Sequence, residues 1–187
     1  MKKNNQKIPI IIGHAIISGN CCIADDKGNM PESLISEKDW ELFQEDLDQS
    51  DIIILGRRSY EYFHNKRRNR LIPTTQIQGY HFQDKDLCFF NPSFISLEEA
   101  ISLFTPHPKK IAVAGGQKVY ELVFEQLFYH QFHLSIKMDQ FLINGQPFIK
   151  GITKIVDVRK YIEEKGMQLK TEKKLDSDTT QYVYSRF

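Results

Sequence analysis

The stretch AVAGGQKVYE, residues 112–121, joins two elements of different kinds through a pair of glycines. The apolar run 110–114 predicts a buried strand, and the apolar spacing of 117–127 predicts a helix. Two interpretations of Gly115 and Gly116 fit this position. The pair either makes a tight turn, or brings bare backbone N–H groups against a phosphate at the helix start. It is not the GxGxxG of dinucleotide-binding folds, so both interpretations stay open.

The composition of the chain indicates a globular protein with balanced charge. Of its 187 residues, 41% are hydrophobic and 12% are aromatic, which is enough for a sizeable core. Lys and Arg number 25 against 24 Asp and Glu, for a formal net charge of +1. This balance argues against nucleic-acid binding over the whole surface, although a local basic patch is compatible with it.

The cysteines and the N-terminus favour a cytoplasmic protein with reduced thiols. Cys21, Cys22 and Cys88 match neither a disulfide framework nor a metal-binding spacing, and we expect no metal site. Basic residues and an apolar run at the start resemble a signal peptide, but His14 interrupts the run and no clean cleavage site follows. An apolar run of about nine residues is too short to span a bilayer. We expect an N-terminal extension, 1–7, and no membrane partner.

Apolar runs alternate with helical spacing along the chain, which predicts an α/β domain. The predicted strands are 8–17, 51–55, 70–75, 86–90, 110–114 and 131–138. The predicted helices are 36–47, 59–63, 96–104 and 117–127. Two late segments, 167–175 and 179–187, predict a closing antiparallel hairpin. Strands that alternate with helices pair in parallel and carry helices on both faces, so we expect a central, mixed, mostly parallel sheet in one domain, 1–187.

A second strand–glycine–helix junction occurs at Gly56, where Arg57 and Arg58 follow the buried strand. Open α/β sheets bind ligands at the carboxyl edge of their strands, and a helix start with arginines suits a phosphate. A solvated basic loop is the alternative interpretation. Two such junctions at one edge would hold the two halves of a dinucleotide.

The run 66–70, KRRNR, adds to the local positive charge. Together with Arg57 and Arg58 it places six cations among residues 57–70. Such a run is typical of a solvated surface or a nucleic-acid patch, so an RNA-binding protein is a further, weaker alternative. Thr74 and Thr75, at the end of the next strand, would add hydroxyl donors to the same edge.

Taken in order, these motifs resemble the paired cofactor motifs of the dihydrofolate reductase superfamily. The matching segments are 55–61, 70–76, 114–121, 132–136 and the late GQPF at 145–148. The resemblance runs from about residue 8 to residue 187 and implies the three-layer dihydrofolate reductase-like fold. It lies between two branches: 29–31 lacks the Trp that follows Met-Pro in dihydrofolate reductases. Residues 18–24 keep only the ends of the motif in riboflavin-biosynthesis reductase domains.

The resemblance implies an NADPH site built from three strand ends. The pyrophosphate and adenosine side would be held by Gly56, Arg57, Arg58 and Ser59. Thr74 and Thr75 would join Arg57 at the 2′-phosphate. The second phosphate-binding turn, with a cis peptide between its glycines, would consist of Gly115, Gly116, Gln117, Lys118 and Val119.

The resemblance also implies a substrate pocket around Asp39. Asp39, as the catalytic acid, and Ser135 would anchor a pterin-like or aminopyrimidine ring. The other substrate-binding residues would be Phe43, Ala24 and Arg68, with Arg70 as the alternative to Arg68.

From the residues alone, Asp39 has a second interpretation, because it is also the third helical residue after Ser36 in a capping-box pattern. We interpret His14, within its apolar strand, as a core histidine. His133 has no triad-like partner in the sequence.

The prediction is an NADPH-dependent reductase that transfers hydride to a pteridine, an aminopyrimidine or a related heterocycle. Dihydrofolate reductase proper and a catalytically degenerate nucleotide-binding module are the alternatives. By analogy with stand-alone relatives, we expect a homodimer. We expect a small heterocyclic partner and no nucleic acid.

Overall fold

The computed structural model describes residues 8–62 and 68–186, and a nine-stranded sheet forms its centre. The strands of this sheet are β1 (Ile10–Ser18), β3 (Ile52–Leu55), β4 (Arg70–Pro73), β5 (Tyr80–Asp84), β6 (Leu87–Phe90), β7 (Lys110–Gly115), β8 (Gln131–Lys137), β10 (Gln168–Lys174) and β11 (Thr179–Ser185). A separate pair is formed by β2 (Cys22–Ala24) and β9 (Gln146–Pro147). The helices are α1 (Glu37–Asp48), α2 (Arg57–Tyr62), α3 (Leu97–Ser102), α4 (Gln117–Gln126) and α5 (Ile155–Glu164).

The strand order is β10-β11-β8-β1-β7-β3-β4-β6-β5. The six strands from β8 to β6 run parallel, because β1 pairs in parallel with β7 and β8, β3 with β7 and β4, and β4 with β6. Both edges are antiparallel: β5 pairs with β6, and the β10–β11 hairpin pairs with β8 through β11. This arrangement confirms the predicted mixed, mostly parallel sheet with a closing hairpin.

Both faces of the sheet are covered, which gives three layers. On one face, Ile11, Val113 and Phe132 belong to a core shared with α3, α4 and α5. On the other face, Leu47 of α1 packs with Ile53 of β3. A strand such as β3 is apolar throughout because a central parallel strand has no solvated face.

The elements predicted from apolar spacing occur where expected, with small shifts at their ends. The predicted strand 8–17 is observed at Ile10–Ser18, and the predicted helix 117–127 ends at Gln126. The capping-box pattern at Ser96 is formed in full with Glu99. Three features were not predicted from the sequence: β5, the β2–β9 pair and α5. Across the part of the chain that the structure describes, no helix combines the length and apolarity needed to cross a membrane.

Candidate active site

Gly115 ends β7 in a conformation that favours glycine. Its φ of +85° lies in the left-handed region. A Cβ at this position would also lie 2.4 Å from Cζ of Tyr120. Gly115 is therefore required by the packing of α4 against the strand end. The peptide bond from Gly115 to Gly116 is cis, as the resemblance implies.

Gly116 and Gly56 are glycines for which the packing gives no steric reason. Gly116 caps α4 with φ −79° and ψ −151°, and the described atom nearest to an added Cβ is Ile23 Cδ1 at 3.4 Å. A Cβ on Gly56 would lie 3.5 Å from the carbonyl oxygen of Gly115. Both separations are ordinary van der Waals contacts. Side chains are thus missing where the fold would accept them, which leaves the backbone open to a ligand.

The two strand–glycine–helix junctions lie side by side at the carboxyl edge of the parallel strands. The N–H of Gly56 donates to the carbonyl oxygen of Gly115 at 2.7 Å, because β3 and β7 are neighbours. Beyond the junctions, α2 begins at Arg57 and α4 at Gln117. The first N–H groups of a helix have no partner within it, so both helix starts offer donors at this edge.

Cations flank the junctions from two sides. Arg58 Nη1 donates to the carbonyl oxygen of Lys27 at 3.3 Å, which links α2 to the loop after β2. Arg57 is exposed and lies 3.6 Å from Glu61, in a surface pair of the kind that contributes little to stability. Lys118 is exposed on the first turn of α4. These cations can therefore turn toward an anionic ligand without breaking buried contacts.

Hydroxyl groups follow the next strand of the sheet, β4. Thr74 is held by its N–H, which donates to the Phe90 carbonyl at 2.8 Å, and its Oγ1 accepts from the N–H of Gln76 at 3.2 Å. Thr75 is exposed, and Ser59 on α2 is half-buried. The strands β7, β3 and β4 are neighbours in the sheet, and the carboxyl end of each is thus followed by donor groups.

Val119 contributes packing, and no donor group, to the predicted cofactor site. It is buried, and its Cγ2 lies 3.8 Å from the position of a Cβ on Gly56. It holds the first turn of α4 against the neighbouring junction. Gln117, by contrast, is half-buried, and its side-chain amide donates to Glu121 at 3.3 Å.

Asp39 is buried in the first turn of α1 and uses its backbone and its side chain differently. Its N–H donates to Oγ of Ser36, the N-cap residue, at 3.3 Å. Its carboxylate Oδ1 accepts a hydrogen bond from Ser135 Oγ and lies 3.1 Å from Nε2 of His14. Ser135 Oγ in turn lies 3.4 Å from the side-chain amide of Gln181. The backbone of Asp39 therefore serves the cap, while its carboxylate faces the interior.

The sheet topology places Ser135 and the glycine pair on strands that flank β1. Ser135 of β8 pairs with Ile16, near the carboxyl end of β1, and the glycine pair follows β7 on the other side of β1. The strands β8 and β7 are therefore two strand spacings, or about 10 Å, apart. Ser135 and the glycine pair thus lie toward the same carboxyl edge of the sheet.

The turn of the β10–β11 hairpin holds the start of α1. Ser36 Oγ donates to Asp176 Oδ2 at 2.6 Å. Lys137, at the end of β8, places its Nζ 3.1 Å from Asp178 Oδ2 and donates to the carbonyl oxygen of Ile35 at 2.9 Å. The segment that carries Asp39 is therefore anchored to the hairpin by two polar contacts.

A buried polar cluster continues from Asp39 along the sheet side of α1. Nδ1 of His14 lies 3.8 Å from Oδ2 of Asp46, so the imidazole stands between two carboxylates. His133, the register partner of His14, stacks on it with ring centroids 5.3 Å apart. Nζ of Lys110 lies 3.3 Å from the other oxygen of Asp46, Oδ1. The interpretation of His14 as a core histidine is incomplete, because its ring joins two acidic groups.

The cluster shifts the pKa values of its members. Burial lowers the pKa of His14, but the carboxylates of Asp39 and Asp46 outweigh burial, and the pKa is raised overall. Burial and the neighbouring His14 lower the pKa of His133 to about 4. Burial raises the pKa of Asp46, but His14, His133 and Lys110 bring it below its ordinary value. Near neutral pH, His133 is therefore an uncharged imidazole.

No functional role was predicted from the sequence for His14, Asp46 or His133. A signal was present in α1, where Asp39 and Asp46 are two helical turns apart and share one face. A second signal was the imidazole of His14 within an apolar strand.

Two of the predicted substrate residues border the regions described above. Phe43 packs edge-on against His14 with ring centroids 5.2 Å apart, and Trp40 lies beside it. Ala24 is buried in β2, and its neighbour Ile23 is the residue that reaches Gly116. Phe43 thus belongs to the Asp39 side, and Ala24 lies beside the glycine junction.

Arg68 is not brought to Asp39. Its guanidinium donates to Asp48 Oδ1 at 3.0 Å and to Gln44 Oε1 at 3.2 Å. Asp48 is nine residues after Asp39 on α1, which is about 13 Å along the helix axis. Arg70, the alternative, is buried and stacks over the ring of Tyr60 at 5.2 Å. The rest of the basic run, 66–67, lies outside the described residues.

A cavity of about 300 Å³ opens in a different place, between α4 and the end of α5. Its lining includes Phe128, Lys165 and Arg186. It shares no lining residue with the glycine junctions or with the cluster around Asp39, so we do not assign it to the same site.

No protein-family model and no curated protein matches this sequence. Solved structures do match. One is a diaminohydroxyphosphoribosylaminopyrimidine deaminase/5-amino-6-(5-phosphoribosylamino)uracil reductase from Thermotoga maritima, with TM-score 0.66 and 12% identity over 97% of this chain and 57% of that one. Dihydrofolate reductase from Enterococcus faecalis, complexed with NADP(H), has TM-score 0.65 and 14% identity over 95% of this chain and 96% of that one. RibD from Acinetobacter baumannii has TM-score 0.69 and 11% identity over 95% of this chain and 58% of that one.

At these identities the likeness shows the fold, and this chain has the dihydrofolate reductase-like α/β fold. The chain spans a little over half the length of the Thermotoga and Acinetobacter proteins and nearly all of the Enterococcus reductase. The predicted fold class is confirmed.

Proposed function

We propose that this chain is an NADPH-dependent reductase that transfers hydride to a pteridine, an aminopyrimidine or a related heterocycle. The observation that carries the proposal is a buried carboxylate, Asp39, bonded to Ser135 on the sheet whose strand ends carry the paired junctions at Gly56 and Gly116. The strand of Ser135 and the strand that ends at the glycine pair are two strand spacings, or about 10 Å, apart, a distance that two adjoining rings can span. The Enterococcus structure was solved with NADP(H), and the name of the Thermotoga protein combines a deaminase with a 5-amino-6-(5-phosphoribosylamino)uracil reductase, which supports both halves of the proposal.

The three strand ends would hold the cofactor. The open backbone at Gly56 and Gly116 fits a phosphate-bearing ligand, because a Cβ would pack there but is absent. The start of α4 would bind one phosphate and the Arg57–Arg58 pair the other, with charge-assisted hydrogen bonds. Thr74 and Thr75 would contact the 2′-phosphate together with Arg57. When bound, NADPH supplies the hydride.

Asp39 would orient the heterocycle and its proton. Both contacts described for its carboxylate use Oδ1, and the side chain keeps 8% of its surface exposed, so Oδ2 remains to accept a ring or amino N–H. Addition of hydride to a C=N carbon leaves negative charge on the neighbouring nitrogen. Asp39 would take up a proton from solvent on Oδ2 and pass it to this nitrogen, which would leave Asp39 as the carboxylate that holds the ring. Ser135 and His14 keep the carboxyl group in place while this happens.

The position of Arg68 favours a substrate without a folate tail. The arginine that the resemblance offers to a tail carboxylate is bound to Asp48 and Gln44 instead. This contact supports an aminopyrimidine-type reductase over dihydrofolate reductase proper. Tight binding of methotrexate would reverse this order of preference.

NADPH binding tests the proposal directly. We expect NADPH fluorescence to change saturably as the chain is added, and NADPH absorbance to fall when a suitable dihydropteridine or aminouracil is present. Gly116→Ala should weaken the binding while the chain stays folded, because the added methyl group occupies the open backbone. Unchanged NADPH fluorescence at high micromolar protein would refute the proposal.

A nucleotide-binding module without catalysis is the second candidate. It is favoured by the fact that Oδ1 of Asp39 already has two protein partners. NADPH binding without turnover of any tested heterocycle would select it. The single domain, the homodimer and the cytoplasmic location stay predictions of the sequence, and sedimentation analysis tests the homodimer.

A further inference from the structure

Two histidines and an aspartate converge beneath α1 from three different elements. His14 comes from β1, His133 from β8 and Asp46 from α1. Asp46 Oδ2 lies 3.8 Å from His14 Nδ1 and 4.0 Å from His133 Nε2. One donor atom from each residue lies within 4.8 Å of the other two. The cluster therefore presents two imidazole nitrogens and one carboxylate oxygen to a common point.

These nitrogens have no hydrogen-bond partner among the described residues. His14 is 5% exposed, and its Nδ1 is unpartnered, as are both ring nitrogens of His133. Buried polar atoms are normally bonded, so each exception calls for an explanation. The gap of 3.8 Å between Nδ1 and the Asp46 oxygen is longer than a hydrogen bond.

The other contacts of the cluster leave these atoms free to act as ligands. His14 Nε2 lies 3.1 Å from Asp39 Oδ1, and a carboxylate at this distance favours a proton on Nε2. When the ring is neutral, the lone pair of Nδ1 then points at the carboxylate of Asp46, and two electron-rich atoms face each other across the gap. Lys110 engages the outer oxygen of Asp46, Oδ1, and does not fill this gap. A positive species between Nδ1 and Oδ2, either a proton or a metal ion, would remove the repulsion.

Two imidazoles and a carboxylate are a donor set that suits zinc and similar divalent transition metals. Ligand atoms about 2.1 Å from a tetrahedral metal are about 3.4 Å from one another. The separations in the cluster exceed this value by an amount that small rotations of the three side chains would remove. Metal-binding histidines commonly donate their second N–H to a carboxylate, and Asp39 already occupies that position.

We propose that His14, Asp46 and His133 bind a divalent transition-metal ion of the zinc class. The site goes beyond the proposed reductase function and does not depend on it. Three protein ligands leave a coordination position open, as in zinc sites that also bind water or a substrate. Through His14, the metal would share a contact with Asp39.

The test uses the full chain, freed of any affinity tag and treated with a chelator. Co²⁺ is added while visible absorption is recorded, and Zn²⁺ is added while thermal unfolding is followed. We expect one equivalent of Co²⁺ to bind with visible bands typical of four-coordinate cobalt, and Zn²⁺ to raise the melting temperature. Asp46→Asn and His133→Gln should each weaken binding by more than about tenfold, since even outer-sphere changes have effects of this size.

Asp48→Asn is the matched control, because it makes the same change two residues further along α1 on an exposed carboxylate. It should bind Co²⁺ like the parent chain. Absence of Co²⁺ bands and of a Zn²⁺-induced thermal shift in the parent chain would overturn the proposal, as would equal binding by Asp46→Asn. NADPH binding is measured on the same samples to separate the two proposals. If the parent chain binds the metal but not NADPH, the reductase proposal is refuted and the metal-site proposal stands.

Discussion

The glycine junctions and the cluster beneath α1 are built from different parts of the chain. At the junctions, the groups that face a ligand are backbone donors of residues such as Gly56 and Gly116. In the cluster, they are side chains such as His14 and Asp46, held together by the register of β1 and β8. A site made of bare backbone is damaged when atoms are added, whereas a side-chain cluster is damaged when atoms are removed. Substitutions in each region test this contrast.

Gly115→Ala should have the largest effect on the junctions. The new Cβ would lie 2.4 Å from Tyr120 Cζ, on a residue with φ of +85°. Overpacking and backbone strain together should lower the free energy of unfolding by about 2–6 kcal/mol. Urea denaturation followed by the fluorescence of Trp40 measures the loss.

The matched control for this prediction is Gly116→Ala. The same methyl group there makes only an ordinary contact, so the free energy of unfolding should change by less than about 1 kcal/mol. NADPH binding should nevertheless weaken. Equal destabilisation by the two variants would show that the two glycines do not differ as described.

Asp39→Asn should have the largest effect on the cluster side. The amide keeps the backbone contact to Ser36 but cannot deliver a carboxyl proton, so kcat should fall by about 10²- to 10⁴-fold. Ser36→Ala removes the cap instead and should lower the free energy of unfolding by about 1 kcal/mol. Steady-state kinetics and denaturation of both variants separate the two uses of Asp39. If Asp39→Asn turns over substrate at the parent rate, helix capping is the remaining role of Asp39.

Removal of Arg57 and Arg58 together should weaken NADPH binding. Each charge-assisted hydrogen bond contributes about 1.5–3 kcal/mol, so loss of even one should raise the Kd by about 10- to 100-fold. Lys173→Ala with Lys174→Ala removes the same charge from exposed positions on β10. This control should bind NADPH like the parent chain in calorimetric titrations, and a matching loss in the control would point to net charge as the cause.

The smallest expected effect is the change with pH in the stability of the metal-free chain, which depends on His133 and His14. The pKa of His133 is about 4 in the fold and near its ordinary value of 6.5 in the unfolded chain, so the unfolded chain gains a proton first as pH falls. Stability should therefore decrease between pH 6.5 and pH 4, and His133→Gln should remove about 1–3 kcal/mol of that decrease.

The contribution of His14 to stability changes with pH in the opposite direction. Its pKa is raised in the fold, so its contribution is complete below its ordinary pKa and is lost as pH rises through the folded value. Urea denaturation of the chelator-treated chain across this pH range checks both signs. If the stability of His133→Gln depends on pH as that of the parent chain does, the lowered pKa assigned to His133 is wrong.

The junctions could be predicted from sequence because their signal is local. A glycine that directly follows an apolar run, as Gly56 and Gly115 do, marks a strand end without knowledge of the fold. The residues of β5, by contrast, are mostly exposed at a sheet edge and show no apolar run. In α5, Val158 and Ile162 are fully buried at helical spacing, but Lys154 gives the helix no side-chain cap. These two elements therefore lacked the usual signals at their bounds.

The cluster as a whole could not be predicted, because only the spacing of Asp39 and Asp46 on α1 is local and the other members are far apart in the chain. His14 and His133 become neighbours only through the pairing of β1 with β8, and this register is set by the whole sheet. The resemblance supplied Asp39 and Ser135 as a pair, but it contained no partner for the carboxylate beyond Ser135. The contact of Arg68 with Asp48 could not be predicted from the motif either, because it depends on side chains that the motif does not describe.

The contact between Ser36 and Asp176 has a consequence for the order in which the protein matures during synthesis. The strands β1, β7 and β3 leave the ribosome before the hairpin turn that anchors the start of α1. Gln181, which bonds Ser135, also emerges late. A nascent chain can thus assemble its cofactor edge while Asp39 is still without its anchor. The pocket can therefore be completed only after the hairpin turn has left the ribosome, later than the cofactor edge that it faces.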